Sequence, residues 1–457
     1  MKNFFLKTTR YLITSLFLFQ SCEDWVDVDY PHNQLGTSQV FADVQTADAA
    51  LNGVYAKLRD NSILSGTQEG AGHLFSLYAD DLDSYHLDEN GYYDIAFNTI
   101  QPSNNVVFSV WSQNYAIIYA TNLIIEKTED SSQLADTDKS RIIAEAILVR
   151  SLIYFYLQQT FGQIPYTQST DYEYNRSLSK LSEEELGNQL IEDLTQIIND
   201  IPAEYRHPER IYPNKSILHF LLANLYLTKG QYNQAEYWIK KVIENPNYQF
   251  QNDLNEVFHN SSLHILWQLP PETIGLPVWE SQLYYFENSP PIATALSNHL
   301  LNSFEETDLR KSTWIETVVN NDVTYYRAAK YKNIIENTSE YSILFRLEEA
   351  YFILAEALAY QNKMNEAIPF LNYTRQRAGL EPLEPIAQDN FILELLKEKR
   401  REFFTEKGIR FWDLKRNNRL NDLSTVKPNW TEFKKVWPIP LNELLLNPNL
   451  NPQNDGY

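Results

Sequence analysis

Cysteine occurs once in this chain, at Cys22. A single thiol excludes an internal disulfide framework and any cysteine-based zinc site. Cations are scarce as well. Lys and Arg number 38 against 60 Asp and Glu, a formal net charge of −22. A surface of that sign repels phosphate backbones and excludes nucleic acid as a partner. Beyond the first twenty residues, no apolar run is long enough to span a bilayer. Catalytic signatures are missing: no H-E-x-x-H, no G-x-S-x-G and no phosphate-cradling loop. His259 and His264 are five apart, the wrong spacing for one helix face. Asp80, Asp81 and Asp83 start like a calcium loop, but Tyr85 replaces the third oxygen ligand and His86 the required glycine. A glycosidase needs two facing carboxylates of opposed pKa, and nothing among the acids selects such a pair. No cofactor, no metal and no catalysis are expected.

What is present is a globular composition, 43% hydrophobic and 21% charged, over 457 residues. That length supports one large core or two ordinary domains. Aromatics reach 14%, with 30 Tyr and 9 Trp, more than a core requires. Tyr and Trp are amphipathic and suit binding surfaces.

Lys2, Lys7 and Arg10 precede an apolar run, Tyr11 to Phe19, that ends in Gln20-Ser21-Cys22. This pattern predicts a signal peptide over residues 1–21. A cysteine directly after a small residue predicts acylation of Cys22, although Phe19 and Gln20 depart from the usual site. The alternative is an ordinary signal peptide with an incidental cysteine. Residues 22–45 then form a lipidated tether and entry segment.

Helical spacing recurs through most of the remaining chain. Ala50, Leu51, Val54 and Leu58 form a stripe behind Thr46, a candidate cap. Trp111, Tyr115, Ile118, Tyr119 and Leu123 form another, and a long helix over 137–160 stops at Gly162 and Pro165. Arg150 falls near that helix's buried stripe and is expected to be a paired structural cation. Ser182 and Glu185 make a capping box. Residues 222–235 and 354–367 resemble each other, with Ala recurring after twelve residues and Gly230 or Asn362 at the turn. That is the pattern of a tetratricopeptide-type helix hairpin, here in two separated copies. Residues 60–105 and 246–345 lack helical period and read as loop-rich, with Ile265–Leu269 as a possible buried strand. In Glu394–Arg416, large apolar residues alternate with so many charges that ion pairs against a packed face are expected.

Several blocks carry a resemblance. They are EKRREFFTEKGIRFWDLKR (398–416), WSQNYAIIYATNLIIE (111–126), AEAILVRSLIYFYLQQTFGQIPY (144–166), NSFEETDLRKSTWI (302–315) and the closing WPIPLNELLLNPNLNPQNDGY (437–457). In their order along the chain they resemble the SusD/RagB family of Bacteroidetes nutrient-binding lipoproteins, over nearly the whole mature chain. Glu23 and Asp24 are similar to the surface-export signal of those bacteria, or are simply a solvated tether. The resemblance implies a mainly α, SusD-like fold as a single domain over 46–457. Its helical scaffold would lie at about 46–245 and 346–420, its ligand-facing insertions at about 60–105 and 246–345, and its tail at 421–457. It further implies a lipid-anchored protein facing outward on the outer membrane. Such a protein captures oligosaccharide or polysaccharide for a SusC-like TonB-dependent transporter. The rivals are a peptide-binding RagB-like protein, a surface glycoside hydrolase and a helical adaptor.

Sugars offer flat C–H faces to aromatic rings and hydroxyl rims to polar side chains. Two segments mix those residue types, 80–98 and 279–285, roughly where family members build glycan platforms. Tyr85, Tyr92, Tyr93, Trp279, Tyr284 and Tyr285 are the expected stacking residues. Asp81, Asp83 and Asn98 are the expected hydroxyl contacts. For each, plain loop packing is the competing explanation. Trp111, Trp267 and Trp412 are assigned to the core.

Overall fold

A computed structural model describes residues 37–86, 91–287 and 291–457. The expected signal peptide, Cys22 and most of the expected tether lie outside the described residues. Helices dominate, as the spacing of apolar residues requires. Helix α1 (Val44–Asp60) buries Ala47, Leu51, Val54 and Leu58, and Asp43, not Thr46, caps it by accepting from the Gln45 amide at 2.8 Å. Helix α2 (Ala71–Tyr78) follows, then α3 (Asn105–Asp130), capped by Asn104, and α4 (Asp136–Phe161). Helices α3 and α4 pack along their lengths. Between them and α5 (Glu183–Gln196), Arg150 donates to Asn122 at 2.8 Å and to Asp193 at 3.3 Å, so it is a paired structural cation. The Ser182–Glu185 capping box is formed.

The two similar segments are helix hairpins: α6 (Lys215–Thr228) with α7 (Tyr232–Ile243), and α8 (Leu347–Tyr360) with α9 (Met364–Arg377). Far apart in sequence, they are adjacent in space, because α7 packs on α8. Tyr232 and Tyr360 stack across that junction at 4.6 Å, and Lys363 reaches Glu236 at 2.7 Å. Helix α10 (Gln388–Phe403) lies against α8 and α9, and α11 (Ile409–Arg416) turns off it after Gly408, whose φ is +69°. A side chain at Gly408 would also meet the Phe75 Cβ at 2.7 Å, so the turn needs glycine twice over.

From Glu398 to Glu402 the charges of α10 point inward. Arg310, Arg346 and Arg377 have fully buried side chains. Glu402 is shared by all three, at 3.2, 2.6 and 2.5 Å. Glu398 and Asp308 complete the Arg310 fork at 2.7 and 2.8 Å. Glu348 binds Arg377 at 2.5 Å and His264 at 2.7 Å. Burial alone would raise Glu402, yet the Arg377, Arg346 and Arg310 guanidinium groups hold its carboxyl at about 2. Trp111, Trp267 and Trp412 all lie in the core.

Short paired strands serve the rest. The first, β1 (Leu82–Ser84), pairs antiparallel with β3 (Thr294–Leu296). Strand β2 (Ile265–Leu269), wholly buried, pairs with β6 (Ser342–Arg346). Strands β4 (Ile315–Asn320) and β5 (Val323–Ala328) form a hairpin whose turn residues Asn321 and Asp322 both have positive φ. One expectation for 60–105 is corrected: every residue of α2 is buried, inside a stretch expected to be loop. A helix covered on all sides has no polar face, so no amphipathic period marks it.

Candidate functional site

The two segments singled out for ligand contact meet, each held by its own backbone device. Pairing of β1 with β3 fixes the first segment, and the Tyr85 amide extends it by donating to the Ala293 carbonyl at 2.7 Å. Gly91, at φ +83°, starts a short helix, Tyr92–Ala96. A Cβ there would sit 2.5 Å from the Asn105 Oδ1, and the Asn104 amide donates to the Gly91 carbonyl at 3.0 Å. The second segment is another short helix, Trp279–Leu283. Ser281 pins it by donating to the Val278 carbonyl at 2.9 Å and the Asn333 carbonyl at 3.2 Å.

Tyr92 and Trp279 line one open groove of about 650 Å³. Trp279 is 43% exposed, and its indole N–H donates to Asp60 Oδ1 at 2.9 Å. Asp60 ends α1 and is paired with Arg59. Burial would raise the Asp60 carboxyl, but the hydrogen bonds from Arg59 and Trp279 outweigh it and hold the carboxyl below its ordinary value. Tyr92 is half-buried, stacked on the His86 imidazole at 4.7 Å and edge-on to His73 at 5.8 Å. Burial, with Glu69 nearby, pushes its phenol up to about 12, so it remains an O–H donor. Burial pushes the His73 imidazole down to about 3, which keeps it neutral beneath the ring. Asn61, Gln68, Glu69, Gln113 and Gln282 complete the polar lining. Glu69 accepts from Ser109 at 2.7 Å and from Gln113 at 3.0 Å.

A second aromatic group draws on the same two segments. Tyr85 packs edge-on against Tyr325 of β5 at 5.8 Å. The Arg327 guanidinium lies 4.1 Å over the Tyr285 ring and pairs with Glu316. Tyr93 packs on the partly exposed Phe97 at 4.3 Å, and Asp83 is exposed on β1.

Three expected contacts face inward instead. Asp81 is buried and accepts from Arg400 at 2.8 Å, beside Asp80, which holds Arg410 at 3.0 Å. Asn98, at φ +55°, is buried and donates to the Tyr78 carbonyl at 2.9 Å. Tyr284 is buried beside Glu280, Lys330 and Tyr331. Polar and aromatic residues in one short stretch point both ways, and composition alone does not separate the directions. Asp60, Gln68, Glu69 and Gln113 were not anticipated. Asp60 opens the segment expected to face ligand but ends α1, and Gln113 lies on α3, a helix assigned to the scaffold. The Gly66-Thr67-Gln68-Glu69-Gly70 turn was the one available signal for Glu69.

Comparison with known proteins places this geometry. The model of the SusD family matches residues 228–457. A second model, described as "Starch-binding associating with outer membrane", matches residues 24–227. Two SusD-like proteins of Formosa agariphila are 24% and 21% identical, over 98% of this chain and 100% and 98% of their own lengths. A SusD superfamily structure from Bacteroides vulgatus superposes with a TM-score of 0.79 at 19% identity, covering 91% of this chain and 100% of its own. A laminarin-binding SusD-like protein gives 0.74 at 21% identity, over 90% and 99%. Surface glycan-binding protein A from Bacteroides thetaiotaomicron, in complex with laminarihexaose, gives 0.75 at 17% identity, over 90% and 99%.

Proposed function

Because the chain belongs to the SusD family, we propose that it is an outer-membrane-associated protein that binds oligosaccharide in the Trp279–Tyr92 groove. The observation that carries this reading is the open groove itself. It pairs a partly exposed indole and a phenol with a rim of amide and carboxylate side chains. Rings of that kind cover sugar faces, and such a rim satisfies hydroxyls. The ligands of two structural neighbours, laminarin and laminarihexaose, support the ligand class. The description of the model matching residues 24–227 supports the location.

The protein captures and hands on; it does not transform. Acylated Cys22 tethers it facing outward, and a SusC-like TonB-dependent transporter receives the ligand. Tyr85, Tyr285 and Tyr93 extend the contact surface for longer chains, with Asp83 at its edge. Removing a stacking ring is expected to weaken binding about two- to tenfold, from an aromatic contribution of about 0.5–1.5 kcal/mol. Calorimetry of the mature protein with Trp279→Ala and Tyr92→Ala, against oligosaccharides and against peptides, is the test. Unchanged oligosaccharide affinity in both variants removes the groove from the mechanism. Peptide binding without oligosaccharide binding replaces the ligand class.

A further inference from the structure

We propose, on the footing that the Trp279–Tyr92 groove is the glycan site, that it takes neutral oligosaccharides and rejects uronate- and sulfate-bearing ones. Among the described residues that line it, the only charges are the carboxylates of Asp60 and Glu69, with no Lys or Arg. A site that held uronate or sulfate would present cations, typically arginine forks, to the anion.

The guanidinium of Arg59, next to Asp60 in the chain, is committed elsewhere. Arg59 gives its Nε and Nη2 to Asp60, and its Nη1 lies 3.4 Å from the Pro270 carbonyl. Arg327, in the second aromatic group, is held by Glu316 and the Phe286 carbonyl and does not line the groove. Asp60 is thereby neutralised, but Glu69 is not. Its described partners are the neutral Ser109 and Gln113, and both donate to Oε2. Among the described residues, Oε1 accepts no hydrogen bond, which leaves it for a hydroxyl donor on the ligand. An ionised carboxylate only accepts. A ligand hydroxyl satisfies Glu69, whereas a ligand carboxylate or sulfate in the same place repels it.

The whole molecule acts in the same direction. With a net charge of −22, it slows and weakens the approach of any polyanion. That long-range part is screened by salt, while the contact with Glu69 is less so.

The experiment compares neutral hexaoses with their C6-oxidised, carboxylate-bearing counterparts, so that linkage is constant within each pair. The panel includes laminarihexaose and maltohexaose, titrated into the mature protein at low and at high ionic strength. The neutral member is expected to bind at least about tenfold more tightly at low ionic strength, with a smaller ratio at high. Glu69→Gln is expected to narrow the ratio, weakening the neutral sugar and strengthening the oxidised one. Equal or tighter binding of the oxidised form overturns the charge selection and leaves the groove standing if Trp279→Ala weakens both. Neutral preference untouched by Glu69→Gln places the discrimination outside this contact and overturns it too. Binding of no hexaose at all overturns it together with the glycan reading.

Discussion

Two carboxylates adjoin Trp279, one touching its indole and the other next in the chain. Asp60 accepts the indole N–H at 2.9 Å and so fixes the plane of the ring. Asp60→Ala leaves the indole free to rotate, and a hydrogen bond of about 0.5–1.5 kcal/mol corresponds to roughly two- to tenfold weaker binding. Asp60→Asn keeps an acceptor and should recover most of that affinity. Equal losses in both variants would mean the charge matters, not the latch. Glu280 points the other way, into the protein, where Ser342 donates to it at 2.8 Å. Burial, with Glu406 and Glu340 nearby, raises its carboxyl to about 7. A raised folded-state value means the favourable, protonated form is fully populated below about 4.5. Its contribution is lost as pH climbs through 7. Glu280→Gln should therefore be more stable than the natural protein at pH 8, by up to about 3 kcal/mol. The two should converge near pH 5. Denaturant melts at both pH values check this, and a constant difference would refute it.

At the scale of elements, α10 is organised by charge as much as by apolar packing. Glu402 answers three buried guanidinium groups. Glu402→Gln strands them, and breaking one partner of a buried ionic cluster costs about 3–5 kcal/mol. The folded Glu402 carboxyl is depressed to about 2, so its contribution is present above about 4.5 and fades as pH falls toward 2. The variant's deficit should be large at pH 7 and small near pH 2.5, read by urea unfolding at each. A loss under about 1 kcal/mol at pH 7 would show that the cluster relaxes without Glu402. The same stretch shows what was legible beforehand. Alternating charges and large aromatics announced buried ion pairs, and the Ser182 box and the twin hairpins announced their own helices. Helix α2 carried no such mark, since burial on every side erases the period. The β4–β5 hairpin was passed over although Asn321-Asp322 is a turn pair. Its strands are largely exposed and lack the alternation that marks a half-buried strand. In the candidate site, ring content located the two segments. Which rings face out depended on Gly91 and on the β1–β3 pairing, neither of which composition encodes.

At the scale of the whole molecule, the question is what holds so acidic a protein at a membrane. Among the described residues, no helix is long and apolar enough to cross one. A net charge of −22 repels anionic lipid headgroups at long range. The covalent lipid proposed at Cys22 and a protein partner are two routes that differ in what disrupts them. Acyl chains hold by burying CH₂ groups, about 0.8 kcal/mol for each, and that term is nearly indifferent to salt. If Cys22 carries the anchor, Cys22→Ser should move the protein from the membrane fraction to the soluble one. Its oligosaccharide affinity should be unchanged, because the groove is built from residues 60–113 and 279–283. Washing the natural protein with high salt should release none of it. Fractionation of cells expressing each form, at low and high ionic strength, decides the matter. Retention of Cys22→Ser at low salt with release at high salt would assign the attachment to a partner protein. Retention under both conditions would assign it to contacts other than lipid at Cys22.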